Sequence, residues 1–220
     1  MYNIICVKFG KKYSSDFVNK LFMDCVTEMS DFQFHCYTDD PSGLDPSNIN
    51  IVNPIGPTLK GVWNKLTLFS KEFPVKGKNI FLDLDVLVQG NIIERLESYQ
   101  HDWDTLHLIH APWKDNKKRY GRLSSYDVIH HSSVMVWENS DQWVNNIQKI
   151  WEHFNSGFRD YFMRKYKGID RFLAHEDFYV EYLPTHFTLS KKHEKFDPLK
   201  RMKPTVITFE ELDVELKDLV

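Results

Sequence analysis

Across 220 residues, 28 Lys and Arg stand against 31 Asp and Glu, a formal net charge of −3. That near balance excludes a general binder of nucleic-acid backbone, which needs a basic excess or at least a basic face. The length suits one domain with a large core, and no apolar run nears the roughly 20 residues of a membrane span.

Taken in chain order, residues 4–7 form a short apolar strand ended by Phe9 and Gly10. A helix follows, capped by Ser14 or Ser15, with Val18, Leu21, Phe22, Cys25 and Val26 on one face. Residues 32–37 make a second strand that stops at the turn cluster Thr38-Asp39-Asp40-Pro41, and 49–52 make a third. A loop with Pro and Gly leads into a helix over 62–73. Residues 79–88, NIFLDLDVLV, are the most strand-like stretch of the chain. Strands at 105–110 and 132–137 flank a polar, Lys-rich loop, and its segment 114–125 is expected to be a mobile substrate-contacting or lid segment. Helices are expected over 141–154 and 175–183, with short strands at 187–189 and 206–209. This alternation indicates an α/β sheet with helices on both faces, in one domain spanning 1–220.

Cys6, Cys25 and Cys36 are odd in number, lie among apolar residues and match no zinc spacing. They read as reduced, buried thiols. The chain opens straight into a strand-like run without a leader peptide, so a cytoplasmic location is expected. Any membrane-borne partner is then approached from the water side.

In α/β sheets, ligands lie beyond the carboxyl ends of the strands. Three polar strand ends qualify: Lys8-Phe9-Gly10, Thr38-Asp39-Asp40 and Asp83-Leu84-Asp85. Asp83 and Asp85 are two apart in an apolar run, so an extended backbone points both carboxylates to one face. Two carboxylates side by side repel, and burying them unpaired is expensive. A hard divalent cation, Mn2+ or Mg2+, resolves both problems and also bridges to phosphate oxygens. An Asp-x-Asp after an apolar strand also fits a haloacid-dehalogenase-like phosphatase with Asp83 as nucleophile. A third reading is a non-catalytic nucleotide-binding accessory protein.

Together, residues 6–13, 37–40, 63–66, 81–86 and 132–135 (CVKFGKKY, YTDD, WNKL, FLDLDV and SSVM) carry a resemblance in their order and spacing. They resemble a group of bacterial and phage glycosyltransferase-like proteins similar to glycosyltransferase family 8, retaining enzymes of the GT-A fold. The resemblance covers residues 3–209. It implies a GT-A-like, Rossmann-type mixed sheet flanked by helices, with 1–90 as the nucleotide-binding half and 91–220 as the donor-sugar and acceptor half. It also implies metal-dependent transfer of a sugar, with retention, from a nucleotide-sugar donor, UDP-linked, to a hydroxyl of a glycan, lipid or protein acceptor.

Carried over position by position, Lys8, Phe9 and Gly10 would lie along the nucleotide. Tyr13 would stack on uracil, an interaction of about 1–3 kcal/mol per base. Asp39 would meet the uridine and Lys65 the donor phosphate or sugar, while Trp63 reads as packing. His131 stands where the family often has an Asn that touches the donor sugar. His175-Glu176-Asp177 aligns with the family's Asp-Gln-Asp at the start of a late helix. That alignment makes Glu176 a nucleophile or a stabiliser of an oxocarbenium-like centre, with Asp177 orienting a sugar. Glu210 falls where the family commonly has a metal-binding His, and offers an oxygen ligand beside Asp83 and Asp85.

Overall fold

The computed structural model describes residues 1–56, 58–99, 102–111, 128–139, 146–166, 168–184, 187–191, 204–209 and 215–219. Strands β1 (Tyr2–Lys8), β2 (Phe32–Thr38), β3 (Asn50–Val52) and β4 (Gly77–Leu82) run parallel, joined by helical crossovers or loops. The chain then turns at Leu84 and Asp85 into β5 (Val86–Val88), which leaves the main sheet. Strands β6 (Leu106–His110), β7 (His130–Asn139) and β8 (Val180–Tyr182) complete a seven-stranded sheet of order β3-β2-β1-β4-β7-β6-β8. Within it β7 is antiparallel to both neighbours. Strands β9 (Thr188–Ser190) and β10 (Val206–Thr208) join β5 in a smaller sheet, β5-β10-β9.

Period-two alternation explains how both faces are filled. Ile4 and Cys6 of β1, Ile80 and Leu82 of β4, and Val134 and Val136 of β7 enter one core. That core is closed by α1 (Ser15–Glu28) through Val18, Leu21 and Cys25, and by α2 (Ile92–Glu97). Ile5, Phe81, Met135 and Trp137 enter the opposite core. There they meet a 3-10 helix (Gly61–Phe69), α3 (Asn146–Phe154), α4 (Arg159–Tyr166) and α5 (Ile169–His175). The result is one mixed sheet with helices on both faces.

Several expectations hold. Ser14 is the cap of α1, accepting from the amide of Asp16 at 3.3 Å, although Val26 points to solvent. Cys6, Cys25 and Cys36 are free and buried, and burial pushes the Cys6 and Cys25 thiols up. Trp63 is packing: it stacks on Phe154 at 5.4 Å and meets Phe172 edge-on. No helix among the described residues is long and apolar enough to cross a membrane.

Three expectations are corrected. The helix expected over 62–73 is a 3-10 helix that ends at Phe69. The single strand expected over 79–88 is two strands in two sheets, because the backbone turns at the acidic pair. Leu82, Leu84, Val86 and Val88 still enter the same core across that turn, while Asp83 and Asp85 stay half-buried. The helix expected over 175–183 does not form. Helix α5 lies before it, Glu176 is its last cap, and Asp177 takes a left-handed φ of 56° that stops the helix. Val180 to Tyr182 then pair with β6. Helices α2 and α4 were not anticipated, since each spans only two turns and carries little periodicity.

A buried polar network ties the amino-terminal ends of β1, β2 and β4. The Asn3 amide donates to the Lys76 carbonyl at 2.8 Å and to Asn79 Oδ1 at 3.1 Å, and its oxygen lies 3.2 Å from His35 Nε2. Burial pushes the His35 pKa down to about 4. A depressed folded pKa means the unfolded chain takes up the proton first, so stability is retained above pH 6.5 and lost as pH falls toward 4. Denaturant titrations should show that loss, and His35→Gln should flatten it by at most about 3 kcal/mol. An unchanged pH slope in the variant would place the acid sensitivity elsewhere.

Candidate active site at the carboxyl ends of the central strands

The polar residues at the carboxyl ends of β2, β1 and β4 form a continuous row. Lys8, buried, pairs in register with Thr38 and donates to the carbonyl of Asp40 at 3.0 Å. Gly10 takes φ of +70°, a conformation that disfavours a side chain, and its amide faces both carboxylate oxygens of Asp39 at 3.2 Å. Phe9 packs its ring on Tyr37 at 4.8 Å. Together these contacts fix the first two strand ends as one ledge.

Tyr13 crosses from that ledge to the acidic pair. Its hydroxyl donates to Asp85 Oδ2 at 2.8 Å, and its ring lies against Phe17 at 5.0 Å. Burial and then the charge of Asp85 raise the phenol well above its ordinary range, so it stays a donor.

Asp83 meets Lys65. The ammonium lies 2.7 Å from Oδ1 and 2.8 Å from Oδ2, and also donates to the Ser132 carbonyl at 3.3 Å. The 3-10 helix delivers this lysine: Asn64 beside it is buried and bonds the backbone of Leu59 and Gly61, which pins the helix start. Lys65 is 8% exposed at its side chain and Asp83 22%. Burial raises the Asp83 carboxyl, Lys65 opposes that, and Asp85 adds to it, with a net upward shift.

Strand β7 closes the row on the other side. Because it runs antiparallel to β4, its first residues lie beside the end of β4, and the Asp83 amide donates to the Ser133 carbonyl at 2.9 Å. His131 is buried there and accepts from the Ser133 amide through Nδ1 at 3.3 Å. His130 is turned to Tyr182, whose hydroxyl lies 2.8 Å from its Nδ1. Lys8, Phe9, Gly10, Tyr13, Asp39, Lys65, Asp83, Asp85 and His131 therefore occupy one edge of the sheet.

Glu176 and Asp177 are placed differently. Glu176 sits at the far end of α5, where it accepts from Tyr166, from His153 at 2.9 Å and from Lys165 at 3.4 Å. Burial raises its carboxyl, but those three bonds prevail and hold it below the usual range. The other end of α5 reaches the site instead. Asp170, in its first turn, accepts from the Ser132 amide at 3.1 Å, on the residue whose carbonyl takes Lys65. Sequence reading missed Asp170. Its signal was an acid in a helical turn directly after Gly168, hidden by placing the late helix too far along. Glu210 and the segment 114–125 lie outside the described residues. A separate cavity of about 460 Å3, between the end of the 3-10 helix and α3, includes none of the site residues.

No family model matches the sequence, and no curated protein matches it. Solved structures do match. The chain is similar to the galactosyltransferase LgtC in complex with donor and acceptor sugar analogs: TM-score 0.59, 15% identity, over 94% of this chain and 87% of that one. It is also similar to the glycosyltransferase GlyE of Streptococcus pneumoniae TIGR4, with TM-score 0.63 and 11% identity over 100% and 60% of the two chains. The bifunctional glycosyltransferase WbbM gives TM-score 0.59 and 9% identity over 96% and 46%. The chain thus spans most of LgtC, about three-fifths of GlyE and under half of WbbM. With these proteins it shares the GT-A-like glycosyltransferase fold.

Proposed function

We propose that this chain is a metal-dependent glycosyltransferase. It takes a sugar from a nucleotide-sugar donor, UDP-linked, and delivers it with retention to a hydroxyl of a glycan, lipid or protein acceptor. The observation that carries the reading is the pair of half-buried carboxylates, Asp83 and Asp85, at the carboxyl end of β4, flanked by a buried lysine. The fold likeness to LgtC and GlyE supports it; retention rests on the family resemblance of the sequence.

The donor set suits a hard ion. Asp83 and Asp85 supply oxygens, and the described residues bring no group of three or more His, Cys, Asp or Glu around one point. Ions such as Mg2+ are commonly held by one or two carboxylates, with water and substrate phosphates completing the shell. Bound there, Mn2+ or Mg2+ would neutralise charge on the departing diphosphate.

The chain's own residues supply the rest. Phe9, Gly10 and Asp39 line the nucleoside side of the row, within residues 1–90. Tyr13 keeps a ring for the uracil and uses its hydroxyl to orient Asp85. Lys65 supplies a positive charge for the phosphates. His131 and Asp170 border the donor-sugar side, within 91–220, where Asp170 takes the part that the resemblance gave to Glu176. A phosphatase with Asp83 as nucleophile would instead release phosphate whatever the sugar, and the fold likeness to glycosyltransferases favours transfer.

Asp85→Asn should reduce UDP release from UDP-glucose or UDP-galactose by about a hundredfold, the scale of losing one charge-stabilising group. Full turnover in that variant would remove the metal site from the mechanism. The two late carboxylates separate in a second assay. Asp170→Asn should lower turnover on the same scale, whereas Glu176→Gln should keep it within a few fold. The Glu176 variant should instead cost about 1–2 kcal/mol of stability through weakened bonds to His153, Lys165 and Tyr166. The reverse ranking would return the reacting centre to Glu176.

A further inference from the structure

Lys65 has three N–H donors and, among the described residues, three acceptors: both oxygens of Asp83, at 2.7 and 2.8 Å, and the Ser132 carbonyl at 3.3 Å. Its stem is equally constrained, since the ammonium also lies 5.0 Å from the centre of the Phe81 ring and the side chain is 8% exposed. Every strong contact of the ammonium is thus internal, and the Asp83 carboxylate is shared between no other cations among the described contacts. Asp85 is different. Among the described residues it takes a neutral hydroxyl donor, from Tyr13 to Oδ2.

We infer that Lys65 is an internal competitor for the metal position on Asp83, and that a nucleoside diphosphate releases it. This rests on the reading of Asp83 and Asp85 as the metal-diphosphate site. A divalent ion that ligates Asp83 must approach an ammonium already touching both of its oxygens, and the two cations repel at close range. A diphosphate changes the balance. Its oxygens offer Lys65 a second anionic partner on the same edge, so the lysine can leave Asp83 without losing a charge-assisted bond. One movement then opens an oxygen for the metal and places a cation on the phosphate. Metal and nucleotide binding are therefore coupled through one side chain, and by linkage each strengthens the other by the same factor. Tyr13 contributes little to this coupling, because a hydroxyl donor adds no positive charge beside the ion.

Calorimetry at pH 8 tests the coupling, with Mn2+ alone, UDP alone and Mn2+ in the presence of saturating UDP. In the native chain Mn2+ alone should bind weakly, and UDP should tighten it by at least tenfold. Lys65→Met removes the competitor, so Mn2+ alone should tighten by tenfold or more, and UDP should add less than threefold. Lys65→Arg, which keeps the charge and guards against loss of folding, should retain the native coupling. Tyr13→Phe should leave the factor by which UDP tightens Mn2+ within threefold of the native value, whatever it does to Mn2+ affinity itself. Asp83→Asn should lose the Mn2+ site with either residue at position 65. If Lys65→Met and the native chain bind Mn2+ alone equally well, the competition is overturned. If the native chain binds no UDP under any condition while Lys65→Met still tightens Mn2+, the UDP-sugar reading fails and the internal competition stands.

Discussion

The reversal of strand direction between β4 and β7 is the constraint on which the site depends. In an all-parallel sheet the carboxyl end of β4 would be bordered only by other carboxyl ends and the loops that leave them. Here β7 enters antiparallel, with Leu82 opposite Val134 and the Asp83 amide bonded to the Ser133 carbonyl. The first residues of β7 are thereby delivered beside the last residues of β4. Ser132 and Ser133 become neighbours of the acidic pair through the continuation of this ladder. Ser132 then carries two contacts at once: its carbonyl takes Lys65 and its amide meets Asp170. A residue of the 3-10 helix and the start of α5 are joined through Ser132, and the end of β4 through the adjacent Ser133.

That junction explains why two charges are tolerated at so closed a position. An unpaired carboxylate with this degree of burial would shift strongly toward its neutral form. Lys65 opposes the shift, and Tyr13 keeps Asp85 hydrogen-bonded on a route that adds no charge. The pairing is costly to break by deleting one partner, since the other is left behind in a poor solvent. It is much less costly to exchange, provided the incoming group carries the matching charge. On the proposed reading, a phosphate for Lys65 and a cation for Asp83 would satisfy that condition together, and neither would do so alone.

The fold was legible where the period of two or of 3.6 ran long enough to register. β1, β2 and α1 are read within two residues of their observed bounds, because Ile4, Cys6, Val18, Leu21 and Cys25 form an uninterrupted inward pattern. The row Lys8, Gly10, Asp39, Asp83 was legible for a different reason: a polar residue ending an apolar strand has few structural uses. What stayed hidden is set by distant contacts. Nothing local shows that the 79–88 run changes sheets, since Leu82, Leu84, Val86 and Val88 keep one period on both sides of the turn. The late helix was misplaced because His175-Glu176-Asp177 carries the acids of a helix start, whereas the left-handed backbone at Asp177 makes it a helix end. With the helix displaced, Asp170 went unnoticed.

The two ends of the sheet also divide the work of buried polar groups. At the amino-terminal end, Asn3, Asn79 and His35 bond mostly to one another and to backbone, and no charge is involved while His35 stays neutral. Such a network rigidifies strand order and has nothing to exchange. At the carboxyl end the partners are ionic or half-exposed: Lys65 with Asp83, Lys8 with the Asp40 turn, the Gly10 amide with Asp39. Each of these pairs joins segments distant in sequence, and most of the partners lie just beyond the strand ends, so giving up one contact does not unravel an element. On the proposed reading, a ligand bearing both a diphosphate and a polar base would replace several of them in a single event, because these strand ends lie side by side in the sheet order β2-β1-β4-β7. A ligand with only one of those parts would leave the remaining pairs closed, which would set a physical floor on the size of donor.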